Sequence, residues 1–450
     1  MTAIDKDRHA LVDRLRKVRE ARARGGRPAP APARAAGAAP KAFDFSTLPI
    51  FEQMRFQEAV GRSLGIGTPF FRQIDSREGA RCVIDGEERI NFASYDYIGL
   101  GSHPEVRRAA VAAAEEWGVS ANASRLVGGE RPYHGALERA LASAYGVDAA
   151  VAMVSGHATN VTTIGAMIGP KDLILMDQLI HNSISEGARL SGAARLTFPH
   201  NDFDWVDETL ARVRDRYERV LIVVEGLYSM DGDFPDLPRF VEIKARHGAW
   251  LMVDEAHAFG VLGATGRGLA ELQGVDPRSV EIWMGTLSKT LAACGGYVCG
   301  SEALIAYLKH KAPGFVFSVG LAAPVAAAAE AAVRAMLAEP ERVARLRANG
   351  LRFRERAAAA GLDVGLSEGY AVTPVIIGDS PRAVVAADML FKRGINALPI
   401  IFPAVPEQQA RIRFFLTSDH DEAEIDRAVD ETAEVVKSLE GVDLFASLRD

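Results

Sequence analysis

Thiols are scarce in this sequence: Cys82, Cys294 and Cys299 are the only 3 cysteines in 450 residues, and they form no CxxC pair. So few, so spaced, supply neither a disulfide framework nor a metal-ligand cluster. An odd and sparse count suits a reducing compartment, and a cytoplasmic location is expected. No uninterrupted apolar run approaches the roughly 20 residues that span a bilayer, so no transmembrane segment is expected. The opening "MTAIDKDRHALVDRLRKVRE" is charged throughout and lacks the apolar stretch of a secretory signal. Positive charge is in deficit too. A net charge of -7 gives no electrostatic case for nucleic acid. There is no internal repeat.

What remains is ordinary for a soluble globular chain, 48% hydrophobic and 25% charged. At 450 residues it is too long for one core and should divide into domains. Residues 1–42 read as a charged helix with a thin apolar stripe (Leu11, Leu15, Val18), then a mobile linker, "GGRPAPAPARAAGAAP". That helix is either a disordered appendage or a docking element for a partner. Residues 43–105 form an N-terminal segment, 106–330 a large domain and 331–450 a small C-terminal domain. Through the large domain, short apolar β-rich runs alternate with helical patterns: "AAVAMV", "DLILMD", "RVLIVVEG", "AWLMVDE" and "EIWMGT". This alternation predicts an α/β fold with a largely parallel sheet. The tail, with "AVTPVIIGD", "GINALPI" and "ARIRFFLTS" between helices, predicts a smaller α+β domain.

Open parallel sheets bind ligands at the carboxyl ends of their strands. There the sequence delivers Ser155, Gly156 and His157 at a helix start, then His181, Ser229, Asp254 with His257, and finally Thr286, Ser288 and Lys289. Each alone has an ordinary reading: a glycine turn, a structural histidine, a lysine that snorkels to water. Together they resist a structural reading. Asp254 closes an apolar strand and needs a cationic or donor partner. Lys289 is the one charged residue in "GTLSKTLAACGG", the setting of a lysine held as a Schiff base. A pyridine nitrogen, a phenolate oxygen and an aldehyde would satisfy Asp254, His257 and Lys289, and pyridoxal 5'-phosphate (PLP) carries all three.

"YDYIGLGSHP", "SGHATN", "HNSISEGARLSGA", "EGLYSMDGD", "VDEAHAFGVLGATGRG", "GTLSKTLAACGG" and "ARIRFFLTSDH" occur in the order and spacing of the α-oxoamine synthases. From about Phe43 to the C-terminus the chain resembles that family, whose members include serine palmitoyltransferase, 5-aminolevulinate synthase, 8-amino-7-oxononanoate synthase and 2-amino-3-ketobutyrate CoA ligase. The resemblance implies the aminotransferase-like fold type I of PLP enzymes and a homodimer with active sites at the interface. It implies Lys289 as the cofactor lysine, Asp254 against the pyridinium nitrogen, His257 against the ring oxygen and His181 stacked on the ring. Gly156, His157 and Thr286 would contact the phosphate, and Ser229 would lie beside the ring. Arg413 would hold the amino-acid carboxylate, with Tyr95 and Asp96 also against substrate. Where relatives often have "FSTALPP" this chain reads "FSVGLAAP", so Val319 replaces the threonine that reaches the partner's phosphate, and Ser318 stands in for it. Asn182 and His157 are further departures from the family pattern.

The implied reaction is a decarboxylative condensation of a small amino acid (serine, glycine or alanine) with an acyl thioester, giving an α-amino ketone. The donor would be a long-chain acyl-CoA or an acyl carrier protein, as in a bacterial serine palmitoyltransferase. The competing reading is another fold-type-I PLP reaction, such as transamination or aldol cleavage.

Overall fold

The computed structural model describes residues 44–444 apart from 64, 77 and 78. The charged helix and linker expected over 1–42 lie outside the described residues. The chain divides between Ala59 and Val60 into two compact units. In the first, Asp44 caps a short 3-10 turn at Phe45–Thr47, and a helix, Pro49–Ser63, begins there and runs past the division.

The second unit holds three sheets. A hairpin of β1 (Arg81–Ile84) and β2 (Glu87–Asn91) opens it. The large sheet follows with β3 (Ala149–Met153), β4 (Leu173–Asp177), β5 (Ala194–Phe198), β6 (Val220–Glu225), β7 (Trp250–Asp254), β8 (Ile282–Thr286) and β9 (Gly296–Gly300). The C-terminal part carries β10 (Val372–Gly378), β11 (Ile395–Asn396), β12 (Leu398–Ile400) and β13 (Ala410–Phe415).

The large sheet has seven strands in the order β3-β9-β8-β7-β6-β4-β5. Every neighbouring pair is parallel except those of β9, which runs antiparallel to β3 and β8. The central strands are buried from end to end, as "LILMD" and "VLIVVE" require when helices cover both faces. Their period of two sorts the core. Val220, Ile222 and Val224 of β6 pack into the larger apolar cluster with Leu251, Val253 and Trp283. Leu221 and Val223 point the other way, with Met252, Ile282 and Met284.

The crossovers return the chain so that β4, β6, β7 and β8 all end at one edge, and helices start from the turns they deliver. Ser155 caps the helix Gly156–Met167 and His181 caps Asn182–Ser191. The two smaller sheets are β10-β13-β12, all antiparallel, and β1-β2-β11. The second pairs Ile395 with Ile90, so the early hairpin is completed by a strand three hundred residues later in the chain. Nothing in the local pattern of 81–91 announces that partner.

Candidate active site

Asp254 is the last residue of β7, only 4% exposed, and lies in register beside Glu225, the last of β6. Its Oδ2 accepts a 2.8 Å hydrogen bond from Asn160 Nδ2 and its Oδ1 accepts from Ala256 N at 3.0 Å. Neither donor is a cation. Two carboxylates side by side in a desolvated strand edge cannot both ionise cheaply. Burial, and then the charge of Asp254, hold the Glu225 carboxyl well above the carboxylate range.

Lys289 stands three residues past β8 in a tight loop, closed by Leu287 N to Gly295 O at 2.9 Å and Ala292 N to Lys289 O at 2.9 Å. Burial lowers its ammonium pKa to about 8 against the opposing pull of Asp254 and Glu225, and Arg413 adds to the lowering. Its Nζ is 5.9 Å from the Tyr95 ring centroid.

Two histidines complete the set. His257 Nδ1 is 2.6 Å from the Tyr97 hydroxyl, and its ring lies nearly parallel to Phe415 with centroids 6.3 Å apart. Burial, with Lys289 and Arg413 nearby, pushes its pKa well down, so the imidazole is neutral. Burial likewise raises the Tyr97 phenol. Tyr97 has no other acceptor among the described residues, so its proton goes to Nδ1 and His257 carries its own on Nε2. His181 caps its helix and its Nδ1 is 2.7 Å from Ser183 Oγ. The protein behind the ring lowers its pKa, while one side stays open to solvent beside His157, centroids 6.4 Å apart.

Arg413 enters from β13 of the small sheet. Nη1 donates to Ser229 O at 2.9 Å and approaches Met230 Sδ at 3.2 Å, and the guanidinium carbon lies 4.4 Å from the Phe415 centroid. Its Nε is buried without a partner, and no carboxylate lies within ion-pair distance among the described residues. A desolvated guanidinium offered only neutral acceptors is arranged for an anion that arrives from outside.

The loop that meets it, residues 226–233, is itself pinned. His200 bridges two buried carboxylates, Nδ1 to Asp177 Oδ1 at 3.0 Å and Nε2 to Asp233 Oδ2 at 2.7 Å. Arg411 Nη1 donates to Met230 O at 3.0 Å and to Asp231 Oδ1 at 2.6 Å. Gly232 is in the left-handed region at φ 76°, and a Cβ there would meet Val372 O at 2.2 Å, so no side chain fits.

A family model, aminotransferase class I and II, matches residues 87–431. The chain is 40% identical over 368 residues to the 8-amino-7-oxononanoate synthase of Symbiobacterium thermophilum, covering 82% of this chain and 93% of that one. It is 41% identical over 374 residues to the enzyme of that name from Geobacter metallireducens, covering 82% and 94%. The chain belongs to the aminotransferase class I and II family. Among solved structures, Sphingomonas wittichii serine palmitoyltransferase superposes with a TM-score of 0.84 at 27% identity, over 89% of this chain and all of that one. An 8-amino-7-oxononanoate synthase from Francisella tularensis gives 0.67 at 25% identity, over 78% and 98%.

Within this family the chain is an α-oxoamine synthase of the PLP-dependent acyltransferase kind, and its fold is the aminotransferase-like one expected from sequence. Its cofactor is PLP. The site fits that group on its own terms. Asp254 is a buried carboxyl group whose two near donors are neutral, which a ring N–H⁺ would complement. At the other end, Gly156 opens a helix of 12 residues, and a Cβ on it would meet Thr286 Oγ1 at 2.7 Å. Bare backbone there leaves the first N–H groups, with the helix dipole, facing the opening as a phosphate requires.

The structure revises several expectations from sequence. Thr286 Oγ1 lies in the cradle but donates to Gly295 O at 3.0 Å, while Ser288 N donates to it at 3.2 Å. Asp96 is not turned to substrate: Oδ1 and Oδ2 accept from Leu100 N and Gly101 N, both at 2.8 Å, so the carboxylate closes a turn. Tyr95 does face the site, edge-on to His257 and Phe415. Among the described residues no hydrogen bond joins Ser318 to these side chains; its neighbours Phe317 and Val319 are 86% and 47% exposed. Asn182 follows His181 on the exposed start of its helix.

Sequence reasoning missed Tyr97, Asn160, Ser183, His200, Glu225 and Phe415. The alternation in "YDY" was the available signal for Tyr97. Asn160 and Ser183 had one as well, since each is polar at a position that its helix buries.

Proposed function

We propose that the chain is an 8-amino-7-oxononanoate synthase, joining alanine to a pimeloyl thioester with loss of carbon dioxide and thiol. The observation that carries this reading is its 40% identity across 93% of a relative of that name. The product's skeleton then dictates the substrates. A nine-carbon acid with its amine on C8 and ketone on C7 divides into a three-carbon amino acid, whose carboxyl is lost, and a seven-carbon diacid acyl group.

PLP, when bound, supplies an electron sink for the charge that forms at the amino-acid α-carbon. The protein's own groups do the rest. Lys289, its pKa lowered to about 8, gives up its proton far more readily than an ordinary lysine and would serve both to attach the cofactor and to carry the α-proton. Asp254 would complement the ring nitrogen, with the buried Glu225 carboxyl beside it held well above the carboxylate range. His257, fixed by Tyr97, presents Nε2–H as a neutral donor to a ring oxygen. Arg413 takes the substrate carboxylate, aligned by Ser229 O and Met230 Sδ. Ser155, Gly156 and His157 would cradle the phosphate.

The active unit is a homodimer. Trp117, Val119, Leu126, Val127, Phe317 and Val319 are large apolar side chains left in solvent on two segments tied by Gly320 N to Ala123 O at 3.1 Å. A second copy is the covering that suits such a surface.

One observation favours a second reading. The serine palmitoyltransferase structures superpose better, TM-score 0.84 against 0.67, although their identity is 26–27%. That reading predicts serine and a long acyl chain. A panel of alanine, glycine and serine against pimeloyl and palmitoyl thioesters, on CoA and on carrier protein, decides by thiol release and product mass. Alanine with the pimeloyl donor should lead by at least tenfold in kcat/KM. Equal or better use of serine with palmitoyl donor overturns the proposal.

A further inference from the structure

Asn160, on the second turn of its helix, is 2% exposed and sits between Asp254 and Ser183. Its Nδ2 is 2.8 Å from Asp254 Oδ2 and 2.9 Å from Ser183 Oγ. The amide nitrogen donates to both, and its two protons are then used. Ser183 Oγ, having accepted one of them, has a single proton of its own to give. Its neighbour at 2.7 Å is His181 Nδ1, which also accepts from Ser183 N at 3.3 Å. Nδ1 therefore receives two donors and carries no proton. The ring's hydrogen is on Nε2.

We propose that Asn160 and Ser183 are positioning residues that lock His181 in its neutral Nε2–H tautomer and link that choice to the carboxylate of Asp254. Protonating Nδ1 would set its N–H against the backbone N–H of Ser183, losing the cap, and would force the serine hydroxyl to turn and accept a second hydrogen bond beside the one from Asn160. Of the charged groups facing the ring, Asp254 favours an imidazolium, while Lys289 and His157 oppose it together with burial. The chain of hydrogen bonds adds a geometric bar to these. Asn160 Oδ1 is buried without a partner, a cost that this orientation of the amide accepts. With Nδ1 committed inward, Nε2–H is the one polar edge of His181 left for the open side of the site. There it is a donor for an oxygen of the reacting amino acid or thioester, and it cannot act as a base.

This inference rests on the reading that His181 lies over the cofactor, and it is tested on the PLP-loaded enzyme labelled with ring-¹⁵N histidine. His181 is assigned by the signal lost in His181→Asn. In the wild type its two ring nitrogens should keep the shifts of an Nε2–H tautomer across the neutral range. Ser183→Ala should move them toward a tautomer mixture and raise the ring's titration midpoint. Asn160→Ala should shift the same signals less, and should also shift the pH titration of the cofactor's absorbance, because Asp254 loses a donor. The kinetic mark is about a tenfold fall in kcat for Ser183→Ala, one hydrogen bond's worth, with the alanine KM changed less than about threefold. Ring signals unchanged in both variants overturn the inference, whether or not activity falls. Full condensation activity in Lys289→Ala would instead overturn the reading of the site itself.

Discussion

Arg413→Ala should sever amino-acid binding from protein stability. The guanidinium is buried over Phe415, its hydrogen bonds go to a carbonyl and a thioether, and its Nε has no partner. Burial, with Arg411 adding a little, lowers its pKa against the pull of the Tyr95 and Tyr97 phenols. Removing a cation from water costs several kcal/mol. A charged hydrogen bond returns about 1.5–3 kcal/mol and a desolvated cation–π contact about 2 kcal/mol. These nearly cancel, so truncation should move the melting temperature of the PLP-saturated enzyme by less than about 4 °C in either direction, a change within about 1–2 kcal/mol. Affinity behaves otherwise. Losing one side of a buried charge pair costs about 2–5 kcal/mol, which raises the alanine KM by about thirtyfold to a few thousandfold. The acyl thioester KM should change less than about threefold. Thermal melting beside initial rates with each substrate varied in turn gives all three quantities. A melting temperature lowered by ten degrees with the alanine KM unmoved would show Arg413 to be a structural residue, and equal loss for both substrates would show that it does not grip the amino acid.

Lys289→Ala should abolish the covalent cofactor adduct that borohydride reduction leaves on the wild-type chain, and lower turnover at least about a thousandfold; reduction followed by peptide mass mapping checks the attachment. Glu225→Gln should keep most of the activity, since the amide copies a carboxyl already neutral, whereas Asp254→Asn should lose nearly all; comparable losses from both would mean the charge resides on Glu225. His200 is charged in the fold because two carboxylates outweigh burial and raise its pKa to about 10 from 6.5. The folded state thus holds this proton more tightly, so the stability it gives is complete below pH 6.5 and drains away as pH climbs toward 10, at most about 5 kcal/mol at ~1.4 kcal/mol per tenfold in proton affinity. Urea unfolding from pH 6 to 10 should show that decline in the wild type and a flatter line in His200→Gln. Val127→Glu with Phe317→Asp should give a monomer by light scattering at micromolar concentration, with activity falling in step.

Much of the site could be read from the sequence because parallel strands deliver side chains at one edge. Asp254, Thr286 and Lys289 each follow an unbroken apolar run, so a polar residue there is conspicuous and its address in the fold is nearly determined. Arg413 needed the family resemblance, since nothing local in "RIRFF" says which arginine turns inward; Arg411 and Arg413 lie on the same face of β13, and only the pairing with the 226–233 loop separates their work. The errors have a physical origin too. Asp96 was placed against substrate, yet it is followed by glycines at 99 and 101 and accepts from the backbone two turns of the loop define. A short acidic side chain before paired glycines usually closes a turn. β9 escaped because its glycine-rich ends look like loop, although it fills the gap between β3 and β8.

Asn160, Ser183, Tyr97 and Glu225 stayed hidden for a different reason. Most of their contacts lie far off in the chain, Asn160 with Ser183 across 23 residues and Tyr97 with His257 across 160. Their common task is to decide where protons are. Tyr97 gives one to His257, Ser183 gives one to His181, and Glu225 keeps its own. Lys289, its pKa lowered to about 8, holds its proton more loosely than an ordinary lysine, while burial pushes the His257 imidazole well down and the Glu225 carboxyl well up. That leaves the lysine free to move a proton. That is the condition under which one lysine can give up its place to the amino acid and still return as the base.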